Sequence, residues 1–155
     1  MGEIYETLSD QHQDYISRQK IFFTGSAAQT GRVNISPRPT DVLRVIDANT
    51  VAYLDYVGSG NETAAHILQI PRLTIMFCAF EGPPRIMRLS GIGATHQKGT
   101  ETYQSLLADY YDNTAPRNAR QIVTLNVDMV QTSCGYGVPF FNFEAHREPL
   151  SIPKK

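Results

Sequence analysis

The stretch KIFFTGSAAQTGRVNISPRPTDVLRVIDANTVAYLDY, residues 20–56, decides the fold class. β-branched and aromatic residues recur in short runs within it, and glycine, proline, asparagine or aspartate separates the runs. This pattern is typical of consecutive β-strands joined by tight turns. Connections this short favour antiparallel pairing. We predict four strands, over residues 20–28, 31–36, 41–47 and 50–56, with a proline-containing turn at residues 36–41.

The rest of the chain adds three apolar segments and three helical ones. The apolar segments predict strands over residues 72–80, 85–96 and 121–132. The helical segments cover residues 8–20, residues 100–111 and the interval from Asn61, the expected N-cap, to Pro71. About seven antiparallel strands curl into a barrel because closure removes exposed edges. The sequence therefore predicts a mainly β (α+β) fold, a small antiparallel β-barrel with a few peripheral helices.

Length and composition indicate a single domain. The 155 residues are 41% hydrophobic and 19% charged, which is typical of a globular protein. We assign residues 1–155 to one domain with two arms. Residues 1–20 form an N-terminal helical arm, and residues 132–155, which carry aromatic residues, prolines and glycines, form a C-terminal arm.

The charge balance and hydropathy exclude several classes of partner. Fourteen Lys and Arg residues oppose fifteen Asp and Glu residues, a formal net charge of −1, which argues against nucleic-acid binding. No apolar run approaches the ~20 residues that a membrane helix needs. The N-terminus is polar and acidic, unlike a signal or transit peptide. We therefore expect a cytoplasmic protein with no nucleic-acid or membrane partner.

No pattern of a hydrolytic nucleophile or a metal site is present. The chain lacks a Gly-x-Ser-x-Gly motif, and its two cysteines form no CxxC pair. Cys78 lies in an apolar strand, and we expect Cys134 to be a small buried residue rather than a nucleophile. The four histidines are scattered, with no pair at i, i+4. Asp41, Asp47 and Asp55 fall at turns or on an exposed strand face, so we expect solvated charges.

The best candidate for a binding site is the segment YVGSGNET, residues 56–63, which runs from a strand into a helix. A glycine-rich turn that opens a helix directs backbone N–H groups at one point, where the helix dipole adds positive potential. Ser59, Asn61 and Thr63 add hydroxyl or amide donors. An ordinary turn followed by a helix cap has the same composition, so the cations nearby decide between the two interpretations.

Arginines are concentrated in the middle of the chain. Ten of the fourteen basic residues are arginines, and six of these lie between Arg32 and Arg88. The planar guanidinium group forms forked hydrogen bonds with phosphate. Arg44 on the strand before the turn, and Arg85 or Arg88 on a later strand, are the candidate donors. The spacing is neither that of a Walker A loop nor that of a dinucleotide fingerprint, and we predict a different phosphate site.

Two segments, VNISPRPTDVLRVIDANTVAYLDYVGSGNETAAHI (33–67) and RLTIMFCAFEGPPRIMRLSGIGA (72–94), resemble the pyridoxamine 5′-phosphate oxidase-like flavin-binding family. The likeness extends over about residues 20–130. The tail SCGYGVPFF (133–141) is similar to the ending of a short branch of that family. The resemblance implies a split β-barrel, a homodimer, and FMN bound in clefts between the two subunits.

The resemblance also implies particular site residues. In the family, a basic residue before the turn contacts the FMN phosphate, and Arg44 takes that position here. The following strand lines the flavin ring with Leu54 and Asp55. A family Ser-Arg-Lys run that grips the phosphate corresponds to Ser59-Gly60-Asn61, so two cationic contacts are missing, and other arginines together with backbone N–H groups must compensate. The implied cofactor-binding set is Arg38, Arg44, Leu54, Asp55, Ser59, Gly60, Asn61, Thr63, Arg85 and Arg88.

The activity that the resemblance implies is electron or hydride transfer between a reduced nicotinamide and a small organic acceptor. It does not extend to pyridoxamine phosphate oxidation, because the substrate-binding C-terminal segment of that enzyme has no counterpart here. No residue stands out as catalytic, and Tyr53, Tyr56 and Tyr136 are candidate proton donors. Aromatic residues of the tail pack the dimer together or cover the partner's flavin.

Two alternatives remain open at the level of sequence. In the first alternative, the pocket binds a deazaflavin instead of FMN, as in some relatives of this fold. In the second alternative, the protein is not an enzyme and binds flavin or haem as a carrier or sensor. The missing Arg-Lys pair is the feature that keeps the second alternative open.

Overall fold

The computed structural model describes residues 2–58 and 61–147. Within them the chain forms eight strands, three α-helices and a short 3-10 helix at Thr40–Val42. In chain order the elements are β1 (Glu3–Tyr5), α1 (Asp10–Arg18), β2 (Ile21–Ser26), β3 (Asn34–Pro39), β4 (Leu43–Asp47), β5 (Thr50–Tyr56), α2 (Glu62–Gln69), β6 (Arg72–Cys78), β7 (Arg85–Gln97), α3 (Glu101–Tyr110) and β8 (Ala119–Cys134).

The strands form one antiparallel sheet in the order β3-β2-β6-β7-β8-β5-β4, with β1 paired to β8. The 16-residue strand β8 organises this sheet. It pairs with β7 along its length, with β5 through its first half and with β1 near its end. The sheet curls into a half-barrel that carries three helices, and the predicted antiparallel barrel is confirmed.

The core fills the concave side of the half-barrel. Alternate residues of each strand face inward because successive side chains point to opposite faces of a sheet. Phe22, Ile75, Leu89 and Ile122 come from four different strands, and each is fully buried. They belong to one continuous apolar cluster that also receives side chains from α1 and α3. Within the described residues, one apolar cluster therefore joins the sheet to the helices.

A β-bulge bends the long β7–β8 pair after Ser90. A side-chain Cβ at Gly91 would lie only 1.9 Å from the carbonyl oxygen of Asn126, so only glycine permits this approach. Bulges increase the local twist and bend the bulged strand.

The predicted hairpins are confirmed, and the predicted turn at residues 36–41 is wrong in its first half. Residues 37–39 continue β3, where Phe22 pairs with Arg38. Proline is tolerated there because β3 lies at the edge of the described sheet, where a missing N–H breaks no ladder. The chain turns instead through the 3-10 helix that follows.

Both arms differ from the prediction in their details. The helix expected over residues 8–20 is α1, which Ser9 and His12 begin with a reciprocal capping box. Glu3–Tyr5 add a strand that the sequence did not reveal, because three exposed residues carry no alternation signal. At the other end, β8 continues to Cys134, past the predicted start of the arm. Cys134 is exposed and not buried, because it is the last residue of β8, whereas Cys78 is buried as predicted.

Candidate functional site

A polar cavity of about 250 Å³ opens where β5 ends and α2 begins. Three strands and one helix contribute to it, because β3, β5, β8 and the first turn of α2 meet at this end of the half-barrel. The side chains that define its chemistry are Ser36, Arg38, Asp55, Asn61, Thr63 and Arg120. The strand-to-helix segment singled out from the sequence therefore does border a cavity.

Asp55 is the centre of the hydrogen-bond network in this cavity. The residue is 3% exposed, although the sequence suggested a solvated charge. Arg38 Nη1 donates to Oδ1 at 2.5 Å, and Arg120 Nη2 donates to Oδ2 at 2.8 Å. Gln121 Nε2 donates to the same Oδ2 at 2.6 Å. A buried carboxylate is stable only when its charge is paired and its lone pairs are satisfied, and these three donors meet that need.

Strand register explains why these groups meet. Asp55 stands directly opposite Gln121 in the β5–β8 ladder, and cross-strand partners share a face of the sheet. Arg38 stands opposite Phe22 and therefore lies on the interior face of β3. Its guanidinium carbon lies 4.9 Å from the centre of the Tyr53 ring, within the range of a cation–π contact. Burial raises the pKa of the Tyr53 hydroxyl, so this ring stays neutral beneath the guanidinium.

A second layer of amides extends the network to α2. Gln121 Nε2 also donates to Asn61 Oδ1 at 3.0 Å, and Gln97 Nε2 donates to Gln121 Oε1 at 2.7 Å. Asn61 occupies the N-cap position of α2 as predicted, but its side chain makes no capping hydrogen bond. The reason is that its oxygen is taken by Gln121. Backbone N–H groups in the first turn of α2 are thus left without a side-chain cap, and they face a region that can receive an anion.

The edge of the cavity near β3 is built from short polar side chains. Asn34 Nδ2 donates to Thr63 Oγ1 at 3.1 Å and to Ser36 Oγ at 3.3 Å. These bonds tie β3 to the start of α2 and place two hydroxyl groups on the lining. Hydroxyl groups can donate to an anionic ligand as well as accept from the protein.

The formal charges on the described lining cancel. Arg38 and Arg120 contribute two positive charges, and Asp55 and Glu62 contribute two negative charges. The arginine side chains are 18% and 21% exposed, and both line the cavity. The arrangement can bind an anionic group through forked N–H donors, in competition with the internal carboxylate.

The structure places Arg44 outside this cavity. Arg44 Nε donates to the carbonyl oxygen of Tyr110 at 2.9 Å, and Nη1 donates to the carbonyl oxygens of Asp41 and Leu43 at 2.8 Å. Its guanidinium also lies 4.7 Å from the centre of the Tyr111 ring. Arg44 therefore joins β4 to the end of α3, where a cation satisfies terminal carbonyl groups.

Arg44 and Leu54 line a second cavity of about 400 Å³ on the other side of Tyr56. Tyr56 lines both cavities, and burial, followed by the nearby Asp41 charge, raises the pKa of its hydroxyl. Successive residues of β5 thus face different cavities, because Leu54 and Asp55 point to opposite faces of the sheet.

The remaining predicted arginines lie elsewhere on the sheet. Arg85 pairs with Cys134 and lies over the Tyr15 ring, at 5.9 Å from its centre. Arg88 Nη1 donates to Ser133 Oγ at 3.3 Å. Neither lines the cavity at the start of α2. Ser59 and Gly60 fall outside the described residues.

Two residues of the site were missed from the sequence: Arg120, which lines the cavity, and Gln121, which is buried behind it and donates to Asp55. Arg120 and Gln121 begin β8, more than 60 residues after Asp55. A weak signal existed, since polar residues opening an otherwise apolar strand mark the place where that strand leaves the core. Their partner could not be identified from the sequence, because it depends on the β5–β8 register.

Other candidate chemistries find little support in the described residues. They include no cluster of three or more His, Cys, Asp or Glu side chains that could hold a metal ion. Ser26 Oγ and His66 Nδ1 lie 3.1 Å apart, but the half-buried His66 lines neither cavity. None of the helices in this part of the chain is long and apolar enough to span a membrane.

Of the candidate proton donors, Tyr53 lies in the core and is 1% exposed, while Tyr136 is 85% exposed on the C-terminal arm. Phe140 and Phe141 of the same arm are also exposed. The arm is anchored where the Phe141 N–H donates to the carbonyl oxygen of Phe80, and these two rings stack. An ordered arm that presents aromatic rings to solvent is typical of a contact surface.

Comparison with curated proteins identifies one informative relative. No family model matches the chain. The pyridoxamine 5′-phosphate oxidase family protein ustO of Aspergillus flavus is 38% identical over 154 residues. The match covers 96% of this chain and 60% of the relative, so the chain spans about three fifths of the length of that protein.

Solved structures share the fold at low sequence identity. HupZ of Group A Streptococcus has a TM-score of 0.62 at 18% identity, with 79% of this chain and 91% of that chain covered. A pyridoxamine 5′-phosphate oxidase-related, FMN-binding protein of Nostoc punctiforme has a TM-score of 0.59 at 11% identity, covering 81% and 84%. The haem storage protein HutZ of Vibrio cholerae has a TM-score of 0.55 at 11% identity, covering 83% and 96%.

Proposed function

The chain belongs to the pyridoxamine 5′-phosphate oxidase-like split-barrel family, and from this premise we propose that it is an FMN-binding protein whose cofactor phosphate enters the cavity between β5 and α2. The observation that carries the proposal is the convergence of Arg38 and Arg120 on one polar cavity beside a helix N-terminus. Two forked cationic donors and uncapped backbone N–H groups are the chemistry that a phosphate requires.

The residues present fit a phosphate group, although only one of the four arginines that the family resemblance implied, Arg38, lines the cavity, and Arg120 is added to it. Arg38 and Arg120 replace the missing Arg-Lys pair of the turn. Ser36 and Thr63 supply hydroxyl donors at the edge of the cavity near β3. Asp55 keeps both guanidinium groups in place, so the donors are already oriented before a ligand arrives.

FMN, when bound, supplies the redox chemistry, and we propose hydride or electron transfer between a reduced nicotinamide and a small organic acceptor. The protein's own contribution is binding, orientation and exclusion of water. Leu54 and Tyr56 line the second cavity, next to the phosphate site, and offer an apolar and aromatic surface there. Tyr56 is the best placed of the candidate proton donors, because its hydroxyl-bearing ring borders both cavities.

We propose that the protein acts as a homodimer with FMN at the interface. Large apolar side chains are exposed in the single subunit, at the start of β3, just before it, and on the C-terminal arm. Val33 and Ile35 are each 68% exposed, and Phe140 is 79% exposed. Exposed apolar surface of this kind marks an interaction site, and β3 also borders the phosphate cavity through Ser36 and Arg38.

The test is an absorption and fluorescence spectrum of protein purified without added cofactor, followed by titration with FMN. We expect a flavin spectrum, or saturable quenching of FMN fluorescence with micromolar affinity. Light scattering should give the mass of two subunits. Absence of both a bound chromophore and FMN binding would refute the proposal.

The same spectra distinguish the two alternatives. A deazaflavin absorbs at a different wavelength from FMN, and its presence would favour a deazaflavin-dependent reductase. A Soret band on addition of haem would favour a non-enzymatic haem protein, as the name of the similarly folded HutZ suggests. Flavin binding without oxidation of NADH or NADPH by any common acceptor would favour a flavin carrier.

A further inference from the structure

We infer that Asp55 is an internal counter-ion that competes with the ligand's phosphate for Arg38 and Arg120, and that FMN is therefore a dissociable ligand of this protein. The inference rests on the proposed function, and it adds which residue sets the affinity. It follows from the network itself. Both arginines pair with one protein carboxylate, which is buried in the lining of the cavity that would receive the ligand.

The geometry makes competition unavoidable. Both oxygens of Asp55 are engaged, one by Arg38 and the other by Arg120 together with Gln121. A phosphate that approaches the two arginines from the cavity also approaches the carboxylate that pairs with both of them. Phosphate monoesters carry about −1.5 to −2 charges at pH 7, so the two anions repel each other.

Glu62, on the lining of the same cavity, adds a second negative charge that repels a phosphate. It is the first residue of α2, it is exposed, and it lines the same cavity as the arginines. With Glu62 included, the formal charge of the described lining is zero. A site that relied on arginines alone would hold a phosphate dianion more tightly than this one does.

The carboxylate also has a function when no ligand is bound. Two guanidinium groups held near each other at low exposure repel, and leaving them without a counter-ion is strongly unfavourable. Asp55 allows the empty cavity to stay folded with its donors in place. The same residue thus permits ligand exchange and lowers affinity, and a site with this property suits a flavin that enters and leaves.

The experiment compares wild-type protein with Asp55→Asn in binding FMN and riboflavin, which lacks the phosphate. A charge within about 4–6 Å changes an ionisation equilibrium by about ten- to a thousandfold. We expect a change at the lower end of this range for FMN affinity, because the neutral amide of the variant would orient the arginines less well than the carboxylate does. The dissociation constant for FMN should fall about tenfold, and that for riboflavin should not change.

Inorganic phosphate provides a readout that does not depend on flavin. In chloride buffer, Asp55→Asn should unfold at a lower temperature than the wild type, and phosphate at equal ionic strength should restore much of the loss. The unfolding temperature of the wild-type protein should change little when phosphate is added. If FMN binds neither protein but phosphate stabilises Asp55→Asn selectively, the proposed function fails and the counter-ion inference stands.

Two results would overturn the inference while leaving the proposed function intact. One is a folded Asp55→Asn variant that binds FMN no more tightly than the wild type. The other is equal stabilisation of both proteins by phosphate. If Asp55→Asn does not fold, the variant Glu62→Gln tests whether a carboxylate on the cavity lining weakens FMN binding. It should bind FMN a few times more tightly, whereas Glu101→Gln, the same change at the first residue of α3, should not alter binding.

Discussion

The replacement Arg38→Gln tests the phosphate site most directly. Arg38 is 18% exposed, donates to Asp55 at 2.5 Å and lies over the Tyr53 ring. Glutamine retains a hydrogen-bonding amide but removes the charge. Arg120 and Gln121 remain to satisfy Asp55, so we expect the variant to fold.

The magnitude follows from the interactions that the substitution removes. A hydrogen bond to a charged group is worth about 1.5–3 kcal/mol, and about 1.4 kcal/mol corresponds to a factor of ten in affinity. The dissociation constant for FMN should therefore rise about ten- to a hundredfold. Loss of Arg38 also exposes more of the Asp55 charge to the phosphate, which acts in the same direction.

The assay is quenching of flavin fluorescence, measured in parallel with FMN and with riboflavin. Only FMN binding should weaken, because riboflavin has no phosphate to lose a contact. Arg44→Gln is the matched control. Arg44 donates to three backbone carbonyl oxygens outside the phosphate cavity, so this variant should unfold more easily. Because Arg44 lines the second cavity, any loss of affinity in this variant should be equal for FMN and for riboflavin.

Two outcomes would refute this reasoning. Unchanged FMN affinity in folded Arg38→Gln would remove Arg38 from the phosphate site. An equal loss of FMN and riboflavin affinity would show that the residue supports the pocket's shape and does not recognise phosphate. A large loss of affinity for FMN but not for riboflavin, seen in Arg44→Gln and absent in Arg38→Gln, would restore the assignment of Arg44 to the phosphate that the family resemblance implied.

Three further predictions concern stability and assembly. Burial, together with the nearby Arg85 charge, lowers the pKa of His12 below its ordinary value of 6.5. The contribution of neutral His12 to stability is therefore present above that pH and is lost as the pH falls. The variant His12→Gln keeps the capping box, and it should flatten the dependence of the urea midpoint on pH between about pH 7.5 and 5.5. Gly91→Ala should reduce the free energy of unfolding by about 3 kcal/mol, because its Cβ meets a carbonyl oxygen, whereas Gly25→Ala should cost far less in the same denaturation assay. Phe140→Ser should shift the sedimentation profile from dimer toward monomer without changing the melting temperature of the subunit, and an unaltered dimer would exclude the arm from the interface.

The strands and the antiparallel barrel could be predicted from the sequence because their signals are local. Alternation of apolar residues and the turn residues between them depend on neighbours a few positions away. The hairpin of β2 and β3 and the strands β4 and β5 emerged in this way. The exceptions are instructive. Pro37 and Pro39 predict a turn, but an edge strand tolerates them, and three-residue β1 is too short to show a period.

The candidate site was located by sequence and completed by tertiary structure. A glycine-rich strand-to-helix turn is a local feature, so Asn61 and Thr63 could be placed at the cavity in advance. The full set of cations could not be predicted, because Arg38 was one of several candidate arginines and Arg120 was not among them. Arg38 and Arg120 meet at Asp55 because β3, β5 and β8 bring together residues far apart in the chain, and only strand register and the curl of the sheet decide which side chains share that space. The same register buries Asp55, whose charge a sequence alone places in water, since burial of a carboxylate requires partners that no local pattern reveals.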